Sequence, residues 1–406
     1  TLSASGSPYF VDGLQSVTAS STLTLEPGVV IKFNAINKSG LQFINGGKLS
    51  AVGSSVNPII FTSFYDDSYG GDTNGSIGST SPSYGDWYGV RIDSPGTEST
   101  ISRVLFRYGG WYYSGGGWTD SKANLYIANS SAVISDSVFE YSYVYGAKLT
   151  NASSTLVGNF FRYNNNSAEG ASSGLSSELG TLTVNSNTFS DNKRGFYVLS
   201  SNFDSSSNFN SNTFTSNTGE AVYSSGRLGS YSGNSGSSNG VNAISVSGTI
   251  TQNGATTTLA ANSLPYLLNG SVTVAAGSAL AVNSGVVIKG WSINSTSYLN
   301  VYGNLVVSGA NFSDIVFSSM FSSPAKDDWG GLRFYSGSRS AIAGATFEYA
   351  RAAIAYTDSP INLSNVKFSE NTLGVSADSA SLAYPITASA ITFTNNTATT
   401  SPGGLW

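Results

Sequence analysis

Hydrophobic and polar residues alternate along this chain in short bursts. They include TLTLEPGVVIKF (22–33), KLSAVG (48–53), NPIIFTS (57–63), TLTV (181–184) and ISVSGTI (244–250). A period of two puts successive side chains on opposite faces of a strand. The bursts run for roughly four to six residues and end at Gly, Asn or Ser, which turn the chain. No stretch carries the 3.6-residue apolar stripe of a helix. The pattern predicts many short strands and an all-β fold.

A repeat organises the strands. NTFSDN (187–192) returns as NTFTSN (212–217), and NVKFSEN (365–371) is followed by ITFTNN (391–396). Phe106, Phe139, Phe161, Phe189 and Phe214 recur at near-regular intervals, and so do Phe347, Phe368 and Phe393. A unit of roughly 20–30 residues holding two or three short strands is one turn of a parallel β-helix. Turns then stack at about 4.8 Å, and equivalent side chains fall into columns. An inward Phe column is expected to fill the core. Asn164, Asn192 and Asn217 are expected to bond from turn to turn and to supply the left-handed backbone of the corner. Val30, Ile60, Phe189 and Val287 are expected to face inward. At about 24 residues per turn the chain would make ~17 turns, on the order of 80 Å in all.

A longer repeat lies above this one. PYFVDG (8–13) returns as PYLLNG (265–270), and GVVIK (28–32) returns unchanged at 285–289 in the same alignment, with no gap between the two matches. DWYGVR (86–91) returns as DWGGLR (328–333) at a smaller shift, so the second copy lacks part of the loop that follows FTS (61–63). Between the copies lies the Gly/Ser/Asn stretch 224–240, which reads as a loop or soft joint. Two units are expected, 1–243 and 244–406, placed coaxially.

The succession PYFVDG, LTLEPGVVIKF, a GxLxAxG strand, PIIFTS, an acidic Gly-rich loop, GDWYGVRI and Asn-rich NxFxxN turns resembles a known group. These are the right-handed parallel β-helix proteins of secreted and surface-anchored bacterial origin, which share the pectin-lyase-like fold. The resemblance covers nearly the whole chain. It implies a right-handed parallel β-helix (solenoid) of two tandem long repeats and an extracellular or cell-surface setting. It is specific for fold rather than activity, because one scaffold hosts many functions.

Composition narrows the function. Of 406 residues only 10% are charged, whereas 40% are apolar and 46 are glycine. The surface is therefore hydroxyl and amide. A net charge of −5 leaves no basic stripe for nucleic acid. The absence of Cys rules out disulfides and thiol chemistry, and the absence of His removes the commonest general base and metal ligand. No apolar run approaches the ~18 residues of a membrane helix.

The most distinctive polar segment is 64–86. Asp66, Asp67, Asp72, Asn74 and Asp86 are hard oxygen ligands of the kind calcium takes, and calcium is the one cofactor they suggest. The loop departs from an EF-hand, with Ile77 where glycine is required. A solvated turn-rich loop is the alternative. Trp87, Tyr88, Trp111, Tyr112, Tyr113 and Trp118 gather among glycines. They either stack on sugar rings or cover the apolar wall. The acids are scattered one or two per turn, and no pair recurs at the spacing that would serve acid–base catalysis. The expected function is thus structural and non-enzymatic: a surface stalk, adhesin or filament subunit. A glycan-binding module, or a polysaccharide lyase or hydrolase, is the alternative. Self-association is expected head to tail, with Leu405 and Trp406 packing near Pro8, Tyr9 and Phe10 of the next subunit.

Overall fold

The computed structural model describes all residues except 77, 112–120, 167–171, 201–206, 227, 252–255, 292–295, 378–383, 385 and 401–406, together with the side chains of 200 and 398–400. Among the described residues the only helical turn is Ala4–Gly6. The remaining regular structure is β, in parallel pairs. The fold is the expected parallel β-helix, of the right-handed type. The chain divides into two compact units. One is Thr1–Leu199 with Ser207–Tyr223 and Ser235–Asn242, and the other is Ser200–Ser206, Ser224–Asn234 and Ala243–Trp406.

In the first unit each turn visits three sheets in order. One turn supplies Gly40–Ile44, Lys48–Val52 and Ile59–Ser63, and the next supplies Gly89–Asp93, Glu98–Ser102 and Val104–Arg107. Among the described residues the third sheet has nine strands, starting at residues 9, 30, 59, 104, 138, 160, 188, 213 and 235. They are spaced more widely, on average, than the repeat estimated from the phenylalanines, so the unit makes fewer turns than that repeat implies. The acidic loop 64–86 accounts for much of the difference.

The phenylalanines stack as expected. Phe61, Phe106, Phe139, Phe161, Phe189 and Phe214 are in register on the third sheet. Successive ring centroids lie 4.8, 5.2, 4.9, 4.9 and 4.8 Å apart, with planes within 13° of parallel. These are offset-stacking distances, and each buried ring adds roughly 1.5–3 kcal/mol of transfer free energy.

The phase of three strands differs from expectation, for Val30, Ile60 and Val287 were each expected to face inward. Ile31 and Phe33, not Val30, continue the inward face, because Ile31 is paired with Phe61. Val30, Ile60 and Leu105 are buried from the outside, beneath Tyr69 of the acidic loop. In the second unit Val287 is half-buried, whereas Ile288 is buried in register with Phe317. Three apolar residues in a row satisfy either phase, so the alternation alone leaves the face ambiguous.

The asparagines also differ in detail. The left-handed corner residue is the one before each asparagine: Tyr163 (φ 58°), Asp191 (57°) and Ser216 (54°). This frees the asparagine amides to point inward. Asn192 Oδ1 accepts from the backbone N–H and Nδ2 of Asn164, while its Nδ2 donates to Phe161 O and Asn217 Oδ1. A second ladder, Asn159–Asn187–Asn212, runs two residues before the phenylalanines. Each of Phe161, Phe189 and Phe214 is thus bracketed by two buried asparagines.

The second unit repeats the scheme with longer strands. Arg339–Glu348, Ile361–Ser369 and Thr387–Thr394 each bend through one left-handed residue, Gly344, Asn365 and Ala390. Phe317, Phe347, Phe368 and Phe393 stack at 4.5, 5.6 and 5.1 Å. Asn371 Nδ2 bonds to Phe347 O and Asn396 Oδ1.

Candidate functional site

The acidic loop begins directly after the strand Ile59–Ser63. Its first part lies down on the outward face of the third sheet, over Lys32. That lysine is wholly buried and donates to the carbonyl of Gly71. Burial lowers the pKa of its ammonium, while the charges of Asp67, Asp66 and Asp72 pull it back up. A fixed internal cation therefore already faces the acids. In the other GVVIK copy, which is followed by the shorter loop, Lys289 is only half-buried.

The five predicted ligands do not converge. Asp66 is buried, accepts from Thr62 Oγ1 at 2.5 Å and faces Arg107 at 3.5 Å. One oxygen of Asp67 is buried with no hydrogen-bond partner. Asp72 Oδ1 accepts the backbone N–H groups of Asn74 and Ser76, and Asn74 bonds to Thr80. Among the described residues no three acids form a group that could hold a metal.

Asp86 has a different task, and the second unit repeats it. Asp86 Oδ2 accepts from Ser63 Oγ at 2.6 Å and from the Ser83 N–H at 3.0 Å. Asp328 Oδ2 accepts from Ser319 Oγ at 2.6 Å and from the Ala325 N–H at 2.8 Å. Both staple the loop that follows the strand, Ile59–Ser63 in the first unit and Ile315–Ser319 in the second. Burial raises the pKa of Asp86. The next residues match too: Trp87 and Trp329 are fully buried, and their indole N–H groups donate to Arg107 O and Glu348 O at 2.9 and 2.8 Å. Trp87 stacks on Phe33 at 4.0 Å, so it fills the core and cannot meet a sugar.

Outward from the phenylalanine column runs a line of alternating charge. Arg107, Glu140 and Arg162 each follow a column phenylalanine and are in register. Glu140 faces Arg107 at 3.1 Å and Arg162 at 2.7 Å, and is itself buried. Beside it Tyr108, Tyr141 and Tyr163, all at positive φ, stack at 5.2 and 5.3 Å. Burial pushes the Tyr108 phenol up to about 12, opposed by the Arg107 charge. A bulky residue in the left-handed region is uncommon, and here three are held by mutual stacking. The signal was present in sequence: RY, EY and RY follow successive column phenylalanines.

Of the other predicted aromatics, Tyr88 is half-buried. Trp111 is partly exposed, with Tyr143 edge-on at 5.0 Å and the Lys38 ammonium 4.8 Å over its ring. Tyr143 packs against a cluster that includes Tyr126 and Tyr145, and the Lys148 ammonium lies 5.6 and 5.8 Å from those two rings. Tyr112, Tyr113, Trp118, Leu405 and Trp406 lie outside the described residues. Phe10 is half exposed beside Phe64, and the Tyr9 hydroxyl bonds to Ser3 O. Pro8 is reached by Gly70 of the acidic loop.

Residues 248–357 match the family model of a pectate-lyase like beta helix domain. No curated protein and no solved structure matches the chain. Among the described residues no helix is long and apolar enough to cross a membrane.

Proposed function

We propose that this chain is a structural β-helix, an extracellular scaffold of the stalk or adhesin kind that presents surfaces rather than turning over a substrate. One observation carries the reading. The buried acids of the first unit's outward face are each engaged in holding the fold: Asp66 by Thr62 and Arg107, Asp86 by Ser63 and Ser83, Glu140 by Arg107 and Arg162. A polysaccharide hydrolase needs a carboxyl pair poised across the scissile bond, and these three are committed elsewhere. Low charge, a hydroxyl-rich surface and the match to a pectate-lyase-like domain support the extracellular setting. Self-association is part of the proposal, with the half-exposed Phe10 as the residue to probe. Incubation with a panel of acidic and neutral glycans should yield no new reducing ends and no unsaturated products. Turnover of any of them would overturn the reading.

A second reading, glycan binding without turnover, is favoured by Trp111. A partly exposed indole beside Tyr143, with the Lys38 ammonium over its ring, suits a sugar ring that carries negative charge. On a glycan array, Trp111→Ala should lose whatever binding the parent shows, and unchanged binding would remove this face from consideration.

A further inference from the structure

The second unit carries an arginine pair that the first unit lacks. DWYGVRIDS (86–94) and DWGGLRFYS (328–336) align residue for residue, so Arg91 and Arg333 hold the same place after a buried tryptophan. In the first unit Asp93, two residues on and therefore on the same strand face, closes an ion pair with Arg91 at 2.6 Å. In the second unit that position is Tyr335, whose ring stacks on Tyr302 at 4.2 Å. Arg333 instead lays its guanidinium over Tyr298, 3.6 Å from the ring centroid. It makes no ion pair among the described residues.

The second arginine arises at another matched place. The backbone N–H of Trp111 donates to Trp87 O at 3.0 Å, and that of Arg351 donates to Trp329 O at 2.8 Å. A position that carries an aromatic ring in the first unit thus carries a cation in the second. Arg351 is exposed and also makes no ion pair among the described residues. Both arginines line one hollow of about 250 Å³, together with Ser376 and the apolar Ala352, Ala355 and Leu373. Register sets the lining on three successive rungs: Arg333 pairs with Ala355, and Ala355 with Ser376, while Arg351 immediately precedes the middle strand, Ala352–Tyr356.

We propose that this hollow binds a tetrahedral oxyanion, a phosphate or sulfate ester carried on a larger ligand. Two arginines that line one hollow set like charges around it, and an anion bound there is favoured by both. Each guanidinium is a planar fork of N–H donors that grips an oxyanion through two parallel bonds. Two forks making two bonds each would take up all of the about four lone-pair sites of a carboxylate, whereas an ester group spreads the same bonds over three terminal oxygens. The small residues leave room for the rest of the ligand beside the charged group. This proposal does not rest on the scaffold reading of the first unit.

The test is calorimetric titration of the intact 406-residue chain at constant ionic strength. The probes are inorganic phosphate, sulfate, acetate and galacturonate, followed by a sugar phosphate and the matching sugar sulfate. Phosphate or sulfate should bind saturably, about tenfold or more tighter than acetate or galacturonate. The sugar ester that binds more tightly identifies the source. Arg351→Gln and Arg333→Gln should each weaken binding about tenfold. Tyr335→Asp, which rebuilds the pairing of the first unit while keeping both arginines, should weaken it as much. Melting curves by circular dichroism establish that each variant is folded. Should Arg333→Gln fail to fold, Arg351→Gln and Tyr335→Asp still decide the question. The proposal is overturned if neither oxyanion binds saturably, if binding survives in Arg351→Gln and Tyr335→Asp, or if acetate or galacturonate binds as tightly.

Discussion

Replacing Asn192 with leucine removes four hydrogen bonds, keeps the branched shape of the side chain and leaves no cavity. Asn192 Oδ1 accepts from the Asn164 N–H at 3.1 Å and from Asn164 Nδ2 at 3.0 Å. Its Nδ2 donates to Phe161 O at 2.8 Å and to Asn217 Oδ1 at 3.1 Å. Two of the four partners keep another bond: Asn164 Nδ2 still reaches Phe139 O, and Asn217 Oδ1 still accepts the backbone N–H of residue 192. The Asn164 N–H and the Phe161 carbonyl are left buried without a partner from this ladder. At about 1–3 kcal/mol for each orphaned group, the loss should be roughly 2–6 kcal/mol. Domains of ordinary stability have about 5–15 kcal/mol to lose. Asn192→Asp should cost more still. It keeps the acceptor but turns an oxygen toward Phe161 O and Asn217 Oδ1, in a site where a charge is expensive. Asn37→Ala, which removes only an exposed bond to Asp12 at 3.3 Å, should cost well under ~1 kcal/mol. Urea unfolding followed by circular dichroism gives the comparison. Hydrogen exchange locates the loss at the corners after Phe161 and Phe189. If Asn192→Leu is no more destabilising than Asn37→Ala, the ladder is decoration and the reasoning fails.

Three further outcomes are expected. Asp86→Ala and Asp328→Ala should each lower stability by about 2 kcal/mol, since each removes a charged acceptor from one hydroxyl and one N–H. Clearly unequal losses in urea melts would refute the shared staple. Lys32→Met should cost about 3 kcal/mol or more by stranding the acids above it, whereas Lys289→Met should cost little. Thermal melting should then rise with calcium over chelator in Lys32→Met more than in the parent, and equal shifts would mean that Lys32 is not the counter-ion. The Tyr108 phenol ionises near 12 in the folded chain, above the ~10 of an unfolded one. The unfolded chain therefore releases that proton first, and stability should fall as pH rises from about 10 to about 12. Tyr108→Phe should flatten that decline in pH-dependent urea melts, and an unchanged slope would assign it to other groups.

The sequence by itself determined the architecture. Strands alternating with period two, recurring phenylalanines and the GVVIK and DW copies leave one economical arrangement, because equivalent residues of a stacked solenoid must lie over one another. That constraint is local and repeated, so it shows in the letters. The staple role of Asp86 and Trp87 was half legible, since both recur in the second copy. The line of Arg107, Glu140 and Arg162 was legible as well, each one residue past a column phenylalanine, though its partners were not. Only the tertiary structure decided which way Val30 and Ile60 face, because loop 64–86 brings Tyr69 onto their outer side and buries them there. The same loop decided that Lys32 sits beneath Asp66 and Asp67 as their counter-charge. The hollow at Arg333 and Arg351 was likewise invisible in one dimension. It depends on the register of successive rungs and on which arginine finds an acid, and neither is a property of spacing along the chain.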